Sequence, residues 1–176
     1  MQGIQTPPRT IMEVFKSLPE GTLAELIDGT LHMSSIPTPR YQRIIGELAF
    51  ALSSHMKQNN SGEILFAPCD VFLDEHSNAV QPDVIFISSK NSTIVGEDAI
   101  HGVPDMLIEV LSPGNPKHDL VRKKELYQKF GVKEYWIIDP DTKESLGFTL
   151  KDGIFKEAGT YKAKIKSLLL NQDFAF

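Results

Sequence analysis

Apolar positions along this chain recur with two periods, and the switches between them divide it into elements. Tyr41, Ile44, Ile45, Leu48, Leu52 and Met56 share one face of a 3.6-residue repeat. Thr38 stands before them as a cap and Pro39 at the first helical position, so the spacing predicts a helix running to about Gln58. A shorter helix is expected from Thr10 to about Leu18. Thr10 and Glu13 have the spacing of a capping box, and Val14, Phe15 and Leu18 supply an apolar side. Between the two helices, residues 24–33 form two short apolar runs around Asp28-Gly29, a dipeptide suited to the positive φ angles of a tight hairpin.

Beyond the long helix the pattern becomes strand-like. Residues 63–75 and 79–88 read as strands joined by a turn at "EHSN", and residues 105–112, "DMLIEVLS", as a third. The stretch 89–102, "SKNSTIVGEDAIHG", reads as a polar loop. Asn115-Pro116 can cap and open a second long helix ending at Phe130, with Gly131 in the left-handed stop position. A fourth strand, "EYWIID" (134–139), follows, and residues 144–162 alternate well enough for a terminal hairpin around Lys151-Asp152-Gly153. The core order is α-β-β-β-α-β. This predicts an α/β (α+β) fold with one mixed sheet between helices, an N-terminal helix and hairpin, and a C-terminal hairpin. There is no internal repeat, and 176 residues suffice for one domain with a substantial core, residues 1–176.

Composition narrows the class. Hydrophobic residues make up 41% and charged residues 23%, as in ordinary globular proteins. No apolar run approaches a membrane span, and the first residues lack a basic start followed by an apolar stretch, so neither a membrane protein nor a secreted one is expected. Cys69 is the only cysteine, which excludes an intrachain disulfide and a cysteine metal cage; a cytoplasmic location is the default expectation. The net charge of −5 is unevenly spread: residues 1–116 carry 6 basic and 14 acidic side chains, residues 117–176 carry 12 and 9. Residues 117–133 alone hold six basic and two acidic ones. A basic surface beside an acidic centre suits an enzyme that uses a divalent cation on a phosphate backbone. A solvated helix face accounts for the same cluster.

One glutamate resists the bland reading. Glu109 sits in the middle of the run Met106-Leu107-Ile108-Glu109-Val110-Leu111, and burying a lone carboxylate costs several kcal/mol unless something compensates it. Asp83 stands at the mouth of another buried run, directly after Pro82. If the two strands are neighbours, both carboxylates can point into one cleft, where a cation between them would relieve their repulsion. The alternative is that Glu109 faces solvent or pairs with a lysine.

The second helix supplies such a lysine. On a wheel of residues 119–130, Leu120, Leu126, Tyr127 and Phe130 form the apolar stripe. Arg122, Glu125, Gln128 and Lys129 fall outside it, Lys124 at its edge and Asp119 on its flank. Lys123 falls in its middle. It needs a carboxylate partner or a cleft, or else it snorkels to water along its packed stem. Asp83, Glu109 and Lys123 thus become a candidate triad. The five histidines show no metal-ligand spacing; His55 reads as a packed residue, and Trp136 and Phe130 as core.

These features together resemble the PD-(D/E)XK nuclease superfamily and, more closely, the Uma-type endonuclease family. The stretches that carry the resemblance are "ELIDGTLHM", "QPDVIFI", "PDMLIEVLSPGN" and "HDLVRKKELYQKFGVKEYWIIDP", in order over nearly the whole chain. Asp83 matches the motif aspartate and Glu109 the second acidic residue. The superfamily lysine would stand two residues after Glu109, where this chain has Leu111; Lys123 matches the lysine that the Uma-type family carries on the next helix. Glu25 matches a further acidic position, either an auxiliary ligand or a hairpin residue bonded locally. Tyr41 stands where many members have a histidine, which weakens the case for a role at that position.

The resemblance implies metal-dependent hydrolysis of DNA phosphodiesters. Asp83, Glu109 and the main-chain carbonyl of Val110 would hold Mg²⁺ or Mn²⁺, and Lys123 would orient a water or neutralise developing charge. Asp119 and Tyr127, each one turn from Lys123, are candidate supports for it. Lys117, Arg122 and Lys124, with the C-terminal Lys162, Lys164 and Lys166, are candidate backbone contacts. Duplex cleavage suits a homodimer with one site per strand. Two rivals belong to other classes: an inactive nuclease fold that binds nucleic acid or protein, and a glycosidase using Asp83 and Glu109 without metal, which would need an aromatic sugar cleft.

Overall fold

The structure is a computed structural model that describes residues 7–112 and 118–176, with only the main chain described at His118 and Asp119. In chain order the elements are α1 (Ile11–Lys16), β1 (Ala24–Ile27), β2 (Thr30–Met33), α2 (Pro39–Asn59), β3 (Gly62–Phe66), β4 (Val71–Phe72), β5 (Ala79–Val80) and β6 (Val84–Ser88). A 3₁₀ turn (Ser89–Ile94), β7 (Ile100–His101) and β8 (Met106–Val110) follow. After a π-helical turn (His118–Lys123) come α3 (Lys124–Phe130), β9 (Glu134–Ile138), β10 (Glu144–Lys151), β11 (Ile154–Lys162), β12 (Lys164–Ser167) and β13 (Gln172–Ala175).

The predicted caps form as their chemistry requires. Thr10 and Thr38 accept from the N–H groups of Glu13 and Tyr41, at 3.1 and 3.3 Å. Asp28 and Gly29 take φ of 45° and 74° in the β1–β2 turn, and Gly131 takes 87° to stop α3.

The central sheet has six strands in the order β11-β10-β9-β8-β6-β3; β8 and β9 are parallel, the other neighbours antiparallel. Side chains alternate across it. Val84, Phe86, Met106, Ile108, Val110, Trp136 and Ile138 form one face, which packs against Ile44, Leu48 and Leu52 of α2 and against Ile165 and Phe174 of the β12–β13 hairpin. Ile85, Ile87, Leu107, Tyr135 and Ile137 form the other, which packs against Leu126 and Tyr127 of α3 and against the second sheet. That sheet runs β2-β1-β5-β4-β7. By the same alternation Glu109 lies on the α3 side.

Several expectations need correction. The single mixed sheet is accompanied by this second sheet and by the β12–β13 pair. The predicted strands 63–75 and 79–88 are each cut in two, at Ala67–Asp70 and Gln81–Asp83. Pro68 and Pro82 lack the N–H a ladder needs, and each break lets the chain pass from one sheet to the other. Residues 89–102 contain the 3₁₀ turn and β7 in addition to loop. The expected start of the second helix at Asn115-Pro116 lies outside the described residues. Leu120, expected in the apolar stripe, is 38% exposed. It belongs to the π-helical turn, whose wider i→i+5 geometry does not follow 100° per residue.

His55 and Trp136 pack as expected. His55 meets the Phe174 ring edge-on at 5.3 Å, and Trp136 is fully buried with its indole N–H 2.7 Å from Glu134 Oε1. Gly147 lies opposite that indole on β10, where an added Cβ would stand 2.4 Å from the ring. Gly147→Ala is therefore expected to cost about 1–3 kcal/mol by overpacking. Trp136 is the only tryptophan, so its fluorescence would follow the unfolding midpoint, and an unchanged midpoint would contradict the packing. Among the described residues no helix is long and apolar enough to cross a membrane.

Candidate active site

The register of β6 against β8 pairs Val84 with Ile108. Asp83 immediately precedes this paired stretch and Glu109 immediately follows Ile108, so both carboxylates come from the same end of the strand pair. Like charges brought together at a strand pair destabilise it. Both carboxylates are nonetheless nearly buried, at 5% and 3% exposure. The surrounding donors explain how they are tolerated. Asp83 Oδ2 accepts from the Val110 main-chain N–H at 2.6 Å, and Oδ1 accepts from the Tyr41 hydroxyl of α2. Glu109 Oε1 accepts from the Tyr127 hydroxyl at 2.7 Å and meets Lys123 Nζ at 2.9 Å.

Lys123 resolves the ambiguity of the helical wheel. Its ammonium does not snorkel: the residue is 4% exposed, and Nζ lies 2.9 Å from Glu25 Oε1 as well as 2.9 Å from Glu109. Lys123 is the last residue of the π-helical turn, so the wide turn ends at the residue that enters the site. Glu25, from the fully buried strand β1, also accepts from the Gln81 main-chain N–H at 2.9 Å. Two carboxylates, from β1 and β8, thus meet one ammonium, and Asp83 from the β5–β6 break lines the same cleft.

A cleft of about 780 Å³ opens onto this group, lined by Glu25, Asp83, Glu109, Val110 and Lys123. Its mouth is formed by the β2–α2 loop, the first residues of α2 and the turn after β9. Among the described residues no three His, Cys, Asp or Glu side chains come together in metal-binding geometry. The donor chemistry nevertheless fits a hard cation. Asp83, just before β6, and Glu109, on the neighbouring β8, supply anionic oxygens to one cleft, and Mg²⁺ commonly takes one or two carboxylates and keeps several waters.

Tyr127 is fully buried, and its phenol is raised well above the usual value, chiefly by burial and then by the charges of Glu109 and Glu25. It therefore stays a donor to Glu109 throughout the neutral range. The linkage follows directly. Above about pH 10 an unfolded tyrosine ionises while the folded one cannot, so stability falls as pH rises. Tyr127→Phe is expected to cost about 1.5–3 kcal/mol at neutral pH for the lost hydrogen bond to a carboxylate. Its stability should also decline less steeply above pH 10 in urea titrations. Parallel alkaline profiles for the two proteins would count against this role.

The remaining expectations divide. Lys117 lies outside the described residues, as does the side chain of Asp119. Arg122 is exposed, and the Lys124 ammonium stands 4.2 Å from the Phe148 ring; neither lines the cleft. Lys164 pairs with Asp173 at 2.7 Å, while Lys162 and Lys166 are exposed. Tyr41 does more than its place on the apolar face of α2 suggests, since its hydroxyl reaches Asp83. Gln81 was also missed as a site residue: it joins Glu25 to Asp70, its side chain lying 2.8 Å from Asp70 Oδ1. Its position two residues before Asp83 was the available signal. Among the described lining residues Tyr41 is the only Phe, Tyr or Trp side chain, unlike the aromatic-lined cleft a glycosidase would need.

A solved structure shares this mixed α/β fold. A chain described as a "putative nuclease belonging to DUF820", from Anabaena variabilis ATCC 29413, superposes with a TM-score of 0.70 at 19% identity, over 85% of this chain and 84% of that one. This chain belongs to the Uma2 family, described as "Putative restriction endonuclease", whose model matches residues 12–174. None of the curated proteins compared with it matches.

Proposed function

We propose that this protein is a divalent-metal-dependent endonuclease that hydrolyses phosphodiester bonds of DNA, with residues 1–176 acting as one restriction endonuclease-like domain. The observation that carries the reading is that Asp83 and Glu109 line one cleft, with Lys123 brought from a third element onto Glu109. Family membership and the shared fold support the same class of chemistry.

Asp83, Glu109 and the Val110 main-chain carbonyl would hold Mg²⁺ or Mn²⁺. Such an ion polarises a phosphoryl oxygen and lowers the pKa of a bound water. The chain's own groups prepare the site for it. The Tyr41 hydroxyl and the Val110 N–H fix both oxygens of Asp83. Lys123 and Tyr127 fix Glu109 through Oε1. Lys123 then offers a cation to the negative charge that builds on the transferring phosphoryl group, in a cleft that shields it from bulk water. Cleavage of both strands of a duplex would need two such sites, and a homodimer supplies them.

Nicking of supercoiled plasmid by the wild-type protein tests the reading. Cleavage is expected with Mg²⁺ or Mn²⁺ and none with EDTA. Cleavage that survives EDTA would exclude the metal mechanism. Folded protein that cleaves neither plasmid, single-stranded DNA nor RNA with either metal would favour a binding module on a nuclease fold.

A further inference from the structure

The cleft poses an electrostatic problem for a nucleic-acid strand. Its described lining holds Glu25, Asp83, Glu109, Asp139 and Asp141 against one lysine and one arginine. The lysine, Lys123, is buried between two carboxylates on the floor. The arginine is Arg40, in the first turn of α2, immediately before the Tyr41 that holds Asp83. Its guanidinium stands at the mouth and pairs with Asp141 from the turn after β9, across 101 residues of sequence. Both side chains are open to water, at 63% and 74% exposure. An exposed pair of this kind contributes little to stability, about 0–1 kcal/mol. Asp141 is itself part of a built turn: Asp139 Oδ1 accepts from the N–H groups of Asp141 and Thr142 at 2.7 and 3.1 Å, which holds the main chain that carries Asp141.

We infer that Arg40 is the phosphate-binding residue at the mouth of this cleft, gripping the backbone phosphate next to the scissile one, and that Asp141 is the resident anion which that phosphate displaces. The inference rests on the nuclease reading and deepens it. A guanidinium matches a phosphate as a two-pronged donor, so exchanging a screened carboxylate for a phosphodiester keeps its geometry while drawing the strand over Asp83. Asp141 keeps the arginine aimed across the mouth when no strand is present. It also opposes any anion that cannot displace it.

The test is binding of a fluorescein-labelled DNA duplex and of its single strand by fluorescence anisotropy, over a range of salt, in EDTA so that no metal-supported cleavage competes. Arg40→Ala is expected to weaken binding severalfold and to reduce the slope of log affinity against log salt by about one ionic contact. Asp141→Asn is expected to tighten binding. In the Arg40→Ala background most of that gain should vanish, because Asp141 acts through the arginine. Arg40→Lys should keep the salt slope but bind more weakly than wild type. Wild-type-like affinity and slope for Arg40→Ala overturns the inference and leaves the nuclease reading intact. A full Asp141→Asn gain without Arg40 reduces Asp141 to general repulsion and overturns the exchange. Failure of the wild type to bind either DNA overturns the inference, and the plasmid assay then decides separately whether the nuclease reading falls with it.

Discussion

Asp83→Asn is expected to lower metal-dependent nicking by about a thousandfold or more, which corresponds to roughly 4 kcal/mol of transition-state stabilisation. The amide is nearly isosteric and can still accept from either the Val110 N–H or the Tyr41 hydroxyl, so the local fold should persist. It lacks the charge a hard cation requires. The loss should appear in kcat at saturating DNA, with binding in EDTA little changed or slightly tighter, since a negative charge has been removed. A variant that nicks within a few-fold of wild type would remove Asp83 from the metal site and end the proposed mechanism.

The second large effect concerns stability. Lys123→Ala leaves Glu25 and Glu109 buried without the ammonium that lies 2.9 Å from each. Breaking a buried ion pair from one side typically costs about 3–5 kcal/mol. A loss of that order is expected in urea unfolding at neutral pH, together with loss of nicking. The double variant Lys123→Ala with Glu25→Gln separates the two roles. Removing one of the facing charges should restore part of the stability, while nicking should stay lost if the lysine serves the reaction. Recovery of nicking in the double variant would reduce Lys123 to a counter-ion for Glu25. An undiminished unfolding midpoint in the single variant would contradict the buried geometry itself.

Both experiments turn on residues that the sequence singled out, though with uneven clarity. The dipeptide Pro-Asp occurs three times, as Pro82-Asp83, Pro104-Asp105 and Pro140-Asp141, and the last of these stands at the mouth of the cleft. Asp105 does not line the cleft. Burial would raise its pKa, but hydrogen bonds from Lys133, Ser88 and Asn91 outweigh that and hold the carboxyl below the usual range. It tethers the residues after β6 to the start of β8. The three matching dipeptides thus serve different ends, and only the spatial surroundings of each carboxylate separate them.

Local physics made much of the fold legible from the chain alone. Thr10, Thr38, Pro39, Asp28-Gly29 and Gly131 act through capping and backbone geometry within a few residues, and each element they delimit formed as its sequence requires. Short continuous apolar runs marked the central strands, and the placement of a carboxylate inside one and a lysine inside an apolar helical face marked the site. What depended on distant partners could not be read this way. The cuts at Pro68 and Pro82 have a local cause, but the second sheet they feed depends on β1 and β7, far along the chain. The outward turn of Leu120 depends on a π-helical geometry that no periodicity announces. Glu25, Tyr41 and Arg40 acquired their places because tertiary packing carries β1 and the start of α2 to the end of β8. The sequence therefore marked Asp83, Glu109 and Lys123 as charges carried into the core, because a charge beside or within an apolar run is conspicuous. Only the tertiary structure decided which charges meet, because partners 98 positions apart, Glu25 and Lys123, and 101 apart, Arg40 and Asp141, are neighbours through the fold alone.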